Sequence, residues 1–258
     1  MKKALLIIIL LLFLPLVGAT LDKPTWKIGL YWKYQIKYSI SSISHNLTIK
    51  IIDKEIIEIE GKNYNVWNIS YISDAPMVGN KIIYMSINDF AIVKEVNIMK
   101  NVKSTIVYYP PTPLIKYGVD VRDQWKSNYQ IKQYFENFLE TTVNVTVNSI
   151  CLSKENVTVP AGSYECYKVI QKRTYEYDGK MGKNEKQIFY YSPSAGNWVK
   201  MERYEGDTKN FEMLLIKTNY GSKKIPLPPY IMLLAFAIAI LMKIIYKAMR
   251  FTDNENSS

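Results

Sequence analysis

The sequence predicts an all-β ectodomain. It reads as an antiparallel meander, a unit of about six strands written twice, that would close as a barrel, half-barrel or sandwich. An N-terminal signal segment precedes it and one C-terminal transmembrane helix follows. Three observations predict this. Apolar and polar residues alternate with period two through most of the interior, no interior window has a helical period, and short motifs of the first half recur in order in the second.

The ends set the address. Met1-Lys2-Lys3 is followed by an apolar run from Ala4 to Val17 and then Gly18-Ala19. A basic start, an apolar core and a small-residue exit make a signal peptide over 1–19, with cleavage expected after Ala19 or the run retained as an anchor. At the other end the Pro-rich linker 223–228 leads into a predicted helix over 229–247, apolar apart from Lys243. Its core, Tyr230 to Tyr246, makes about 25 Å of helix at roughly 1.5 Å per residue, near the short limit for crossing a bilayer. Tyr230 and Tyr246 stand where interfacial aromatics belong, and Lys243, Lys247 and Arg250 favour the cytoplasm, so 248–258 is expected to be a cytoplasmic tail. The expected location is the cell membrane, single-pass, with the β-rich part outside.

Between the ends, Trp32, Tyr34, Ile36, Tyr38 and Ile40 alternate with Lys33, Gln35, Lys37 and Ser39, which makes a strand with one buried face. Leu47, Ile49 and Ile51 form the next. Glu60-Gly-Lys-Asn63 turns the chain into a strand over 64–71, and apolar runs follow at 81–86, 91–98 and 104–109. Pro110-Pro-Thr-Pro113 is expected to break the chain, because proline cannot donate to a central ladder. The order then restarts. Trp32-Lys33 is echoed by Trp125-Lys126, Tyr34-Gln-Ile-Lys37 by Tyr129-Gln-Ile-Lys132, and Asn46-Leu-Thr-Ile49 by Asn144-Val-Thr-Val147. Ile82-Ile-Tyr-Met-Ser86 is echoed by Ile188-Phe-Tyr-Tyr-Ser192. The spacing only rises along the chain, as a duplicated unit with lengthened loops would show. The predicted units are 20–110 and 111–222.

Val157-Thr-Val-Pro-Ala-Gly-Ser-Tyr164 and Tyr191-Ser-Pro-Ser-Ala-Gly196 are two turn motifs, at Pro160-Ala-Gly162 and at Pro193-Ser-Ala-Gly196. With them the second half resembles a group of uncharacterised exported, membrane-anchored β-proteins of bacteria and archaea. That resemblance implies an envelope β-barrel or half-barrel and no reaction. Half-barrel lipoprotein carriers are similar but use a helical lid, which has no counterpart in this sequence.

The formal charge of +10 first suggests nucleic acid. The exported topology and the even spread of basic residues point instead to a solvated surface, with no nucleic-acid partner. Cys151 and Cys166 are the only cysteines, and two exported thiols suggest a disulfide around the Pro160-Ala-Gly162 turn. Strand parity opposes it, and two reduced cysteines packed into the sheet are the alternative. Asn46, Asn68, Asn144 and Asn156 open N-glycosylation sequons, and a further match at Asn256 falls in the expected tail. His45 is the sole histidine, so a catalytic triad or a metal cluster lacks material; no catalytic, metal or cofactor site is predicted. The acidic run Asp53, Glu55, Glu58 and Glu60 reads as the guarded edge of a hairpin.

The expected function is that of a membrane-anchored envelope protein whose ectodomain binds or displays, without catalysis. Trp32, Tyr34, Trp125 and Tyr129 are the candidate contact aromatics, and an envelope protein or a hydrophobic ligand is the expected partner. A carrier of lipid or another hydrophobic ligand is the alternative, and an exported hydrolase the second alternative.

Overall fold

The computed structural model describes residues 20–41, 43–75, 79–99, 102–136 and 138–221. The expected signal segment, linker, transmembrane helix and tail lie outside the described residues, as does Asn256. Among the described residues no helix is long and apolar enough to cross a membrane.

Period-two alternation becomes twelve strands: β1 (Tyr31–Tyr38), β2 (Ser44–Ile59), β3 (Lys62–Ser73), β4 (Asn80–Ser86), β5 (Ala91–Met99), β6 (Val102–Pro113), β7 (Gln124–Phe135), β8 (Phe138–Val159), β9 (Gly162–Tyr177), β10 (Lys180–Ser192), β11 (Asn197–Glu205) and β12 (Thr208–Thr218). Each pairs antiparallel with its sequence neighbours, and β1 pairs with β12 from Trp32↔Thr218 to Tyr38↔Phe211, so the sheet closes as a barrel. Trp32, Tyr34 and Ile36 point inward and are buried, while Lys33 and Lys37 between them are exposed. The outer face of β1 thus carries lysines. The β2–β3 connection is a two-residue turn with both residues left-handed, Glu60 at φ 49 and Gly61 at φ 76, which matches the twist of the flanking strands.

The halves do not close separately. Six strands from each repeat one plan within a single wall. A bulge interrupts β2–β3 after Ile51 and β8–β9 after Cys151, and another interrupts β4–β5 after Tyr84 and β10–β11 after Tyr190. Ile51 exchanges backbone bonds with Gly29 and Leu30, as Cys151 does with Arg122 and Asp123. Lys54 lies over the Trp67 ring as Lys154 lies over Tyr167.

The expected break at Pro110–Pro113 is corrected: these residues belong to β6. The ladder to β7 ends at Tyr109↔Gln130, and the ladder to β5 skips from Val107 to Thr112, so Pro110 and Pro111 fall where neither ladder needs a donor, while Pro113 is the last pair of the β5 ladder, opposite Ala91. The connection between the halves is 114–123 instead.

Both bulges bend a long hairpin out of the barrel. The β2–β3 arm carries Ile57 and Ile59 onto the outward-facing Val66, Val93 and Val107. Its tip is held by the ion pair from Lys132 Nζ on β7 to Glu60 Oε1, 2.8 Å. The β8–β9 arm returns over its own half, where the Ala161 N–H donates to the Leu215 carbonyl at 3.1 Å. Each buried valine under such an arm contributes about 1.5–3 kcal/mol.

The arms explain the cysteines. The expected Cys151–Cys166 bridge does not form, and both thiols are free and buried. Cys151 lies opposite Val169, on the inward face, while Cys166 precedes the inward Tyr167 and faces outward beneath the β8–β9 arm, opposite Glu155. The wall itself separates them. Burial, helped by Asp120 and Asp123, pushes the Cys151 thiol up to about 11. Burial with Glu155 and Glu165 pushes Cys166 up to about 12.

Candidate functional site

An eight-stranded barrel is just wide enough for its own side chains to fill, so twelve strands leave interior space. The chain fills one end. Thr20 to Leu30 cross beneath the barrel, where the Leu21 N–H donates to Val119 O at 2.8 Å and the Gly118 N–H to Leu21 O at 2.9 Å. The Tyr167 and Tyr191 hydroxyls donate to the carbonyls of Thr20 and Asp22. Trp26, Trp32, Phe90 and Tyr117 pack at centroid separations of 4.6 to 5.4 Å along the chain of contacts Trp32–Trp26–Phe90–Tyr117. The Trp26 and Trp32 indoles donate to Gly196 O and Ala195 O at 2.9 and 2.7 Å. These donors of the plug are satisfied as a core requires, while the Trp67 indole N–H, packed against Trp26, is buried without an acceptor.

Above the plug lies a cavity of about 340 Å³ to which every strand contributes lining. On the plug side the lining is aromatic, with Phe189 and Trp198 5.2 Å apart between centroids, and Leu47, Ile83 and Met213 also line the cavity. Toward the opposite end, where β1 turns into β2 and β9 into β10, the lining gains the half-buried Lys81, Arg173 and Arg203 and the buried Glu95. Ile40, Ile43, Phe138 and Met181 at the turns of that end are exposed.

The polar layer has one closed group and one open one. Lys81 Nζ lies 2.9 Å from Glu95 Oε2, and the Tyr108 hydroxyl donates to Glu95 Oε1 at 2.7 Å. Burial works to raise the Glu95 carboxyl, but Lys81, Tyr108 and Arg173 together hold it below its ordinary value. Burial, then Glu95, pushes the Tyr108 hydroxyl well above its own, so it remains a donor. Glu95 is thus an ionised and fully engaged carboxylate, unlike a general base poised near neutrality. On the facing strands, Glu185 accepts from Gln187 and lies 3.8 Å from Arg203 Nε. Arg173 donates through Nη2 to Gln171 Oε1 at 2.9 Å, and Gln171 is itself fixed by donating to Leu114 O at 2.6 Å. The Nε atoms of Arg173 and Arg203 are buried without an acceptor, and so is the Ser149 hydroxyl.

Of the aromatics predicted to meet a partner, Trp32 and Tyr34 are fully buried. The Tyr34 hydroxyl donates to Trp198 O at 2.9 Å, so both are corrected to structural roles in the plug and wall. Trp125 is half-buried against the core, and Tyr129 lines the cavity with its ring 5.9 Å from that of Tyr108. Asn46, Asn144 and Asn156 are exposed; Asn68 is half-buried, its amide donating to Glu55 Oε1 at 2.6 Å. His45 Nδ1 lies 3.5 Å from Asp74 on the surface. Among the described residues no group of His, Cys, Asp and Glu is placed to hold a metal ion. Sequence reasoning missed Lys81, Glu95, Tyr108 and Arg173 altogether. Each looks like an ordinary polar strand position until closure turns its face inward.

No protein-family description matches the sequence, and no curated protein does. Among solved structures the chain is similar to a candidate lipoprotein of Parabacteroides distasonis, at 15% identity, TM-score 0.49, over 78% of this chain and 99% of that one. It is similar to a candidate exported protein with a YmcC-like fold from Bacteroides fragilis, at 12% identity, TM-score 0.48, over 78% and 100%. The hypothetical lipoprotein YmcC of Escherichia coli matches at 12% identity, TM-score 0.39, over 72% and 84%. At these scores the barrel assignment stands on this chain's own strand pairing.

Proposed function

We propose that this chain is an envelope protein, tethered by its C-terminal segment, whose barrel holds a small amphipathic molecule in its lumen. The carrying observation is the cavity itself: about 340 Å³, aromatic on the plug side and charged toward the unplugged end. That volume falls within the range of about 300–1,000 Å³ usual for small-molecule sites. Thr20 and Tyr220 both lie at the plugged end, away from the turns that join β1 to β2 and β9 to β10. The exposed Ile40, Ile43, Phe138 and Met181 support a second reading, in which the turns at that end meet a partner protein. A hydrolase finds less support, because the buried carboxylates of Glu95 and Glu202 are both held low rather than raised.

The test is photocrosslinking of the full chain in nanodiscs with a diazirine-bearing laurate, followed by peptide mapping. Label on inward residues of β10 and β12, such as Phe189 and Met213, displaced by unlabelled laurate and abolished by the lumen-filling Val147→Trp, is the expected result. Label confined to the segment after Gly221 sinks the proposal.

A further inference from the structure

We propose that the lumen is selective for the head-group charge of its occupant, and that it takes an anionic amphiphile whose acid group is bound by Arg173. This rests on the lumen being a binding site, as proposed above, and adds the chemical class of what it binds.

Four charged residues line the cavity: Lys81, Arg173 and Arg203 against the single carboxylate Glu95. Two of the three cations have a carboxylate within 4.0 Å. Lys81 is paired to Glu95 at 2.9 Å, and Arg203 lies 3.8 Å from Glu185, just behind the lining. Arg173 is different. Glu185 stands directly across the β9–β10 ladder from it. Yet that carboxylate is engaged by Gln187 and Arg203, and among the described residues no carboxylate oxygen lies within 4.0 Å of the Arg173 guanidinium. Its side-chain partners are neutral, the amide oxygen of Gln171 and the Tyr175 hydroxyl.

A guanidinium is always charged, and a buried donor without an acceptor is costly, so such a group in a cavity wall calls for an anion. Arg173 lines the cavity, and its Nε is one such donor. Glu95 accepts from Lys81 on one oxygen and from Tyr108 on the other, and Lys81, not Arg173, is the cation within 4.0 Å of it. The aromatic lining of Phe189 and Trp198 lies on the plug side of this layer. An occupant therefore sits with its acid toward the unplugged end and its hydrocarbon against those rings.

The head group can be a carboxylate or a phosphate, and a guanidinium fork suits either. Competition against the diazirine laurate in the full chain decides. Laurate and dodecyl phosphate are expected to displace the lumen label at concentrations about tenfold lower than dodecanol, the value of one charge-assisted contact. Dodecylamine should compete worse than dodecanol. Acetate and inorganic phosphate, which carry the charge without the chain, should not compete at all. In Arg173→Gln the advantage of the acid over the alcohol should vanish while dodecanol competes as before, and Arg173→Lys should keep part of it. Equal competition by acid and alcohol in the wild type, or an advantage that survives Arg173→Gln, overturns the charge assignment and leaves the lumen site standing. Displacement by inorganic phosphate alone overturns the amphiphile. Absence of any lumen label overturns both readings. If Arg173→Gln does not fold, the head-group series in the wild type is decisive by itself.

Discussion

Replacing Glu95 with Gln would probe the one charge cluster the lumen closes on itself. The substitution keeps the shape but removes the anion that faces Lys81, Tyr108 and, more distantly, Arg173. Breaking one partner out of a fully buried ion pair costs about 3–5 kcal/mol. The Glu95 side chain is 10% exposed but that of Lys81 is 26%, so the stranded ammonium can still find water. The expected loss is therefore about 2–3 kcal/mol, below the fully buried figure. At about 2–4 °C per kcal/mol for a domain of this size, Tm falls by about 4–12 °C near neutral pH. The pH dependence gives an independent check. The folded carboxyl titrates below its ordinary 4.5, so its stabilisation is complete above that value and is lost as pH falls through the lower, folded value. Wild type and Glu95→Gln should thus differ at pH 7 and converge in acid. Thermal melts followed by circular dichroism across that range measure both. Equal Tm at pH 7, or a gap that persists undiminished well below the carboxylate range, would refute the ion-pair argument.

Three further outcomes follow from the same structure. Dithiothreitol should leave the Tm unchanged and intact-mass measurements should show two free thiols, both resistant to alkylation until the chain unfolds, since burial raises Cys151 to about 11 and Cys166 to about 12. Gly196→Ala should destabilise by more than the about 1–2 kcal/mol of a left-handed non-glycine residue, because its φ is +63 and the new methyl would strike the Tyr220 ring. In a chemical-denaturation cycle with Tyr220→Ala the losses should add to less than their sum; strict additivity would mean the ring is not the obstacle. In a host that glycosylates Asn-x-Ser/Thr, site mapping should find the exposed Asn144 and Asn156 modified before Asn68, which is half-buried with its amide held by Glu55. Preferential occupancy of Asn68 would contradict the packing of the β2–β3 hairpin.

By itself the sequence determined what is local. Alternation at Trp32, Tyr34 and Ile36 specifies a strand and its buried face, because side chains leave a strand on opposite sides at every step. Glu60-Gly61 and Pro160-Ala161 specify turns through backbone chemistry, and the motif matches between the halves fall on strands that occupy equivalent places in the wall. Even the parity doubt about Cys151 and Cys166 was legible.

What only the tertiary structure decided depends on residues far apart in the chain. Closure of β1 on β12 is one such case, and it makes a lumen where a half-barrel or a sandwich was equally compatible with the pattern. The single-residue bulges after Ile51 and Cys151 are another, since each reverses the face of everything beyond it and sends an arm over the outer wall. Proline in β6 reads as a break from sequence alone, because whether a missing donor matters depends on where the neighbouring ladders end. Arg173 is the sharpest instance. On paper it is one more polar residue in Gln171-Lys-Arg-Thr174. Its chemistry comes from which carboxylates the closed barrel brings near it and which of them other side chains already occupy, and those distances are set by the three-dimensional register of strands that the linear order does not contain.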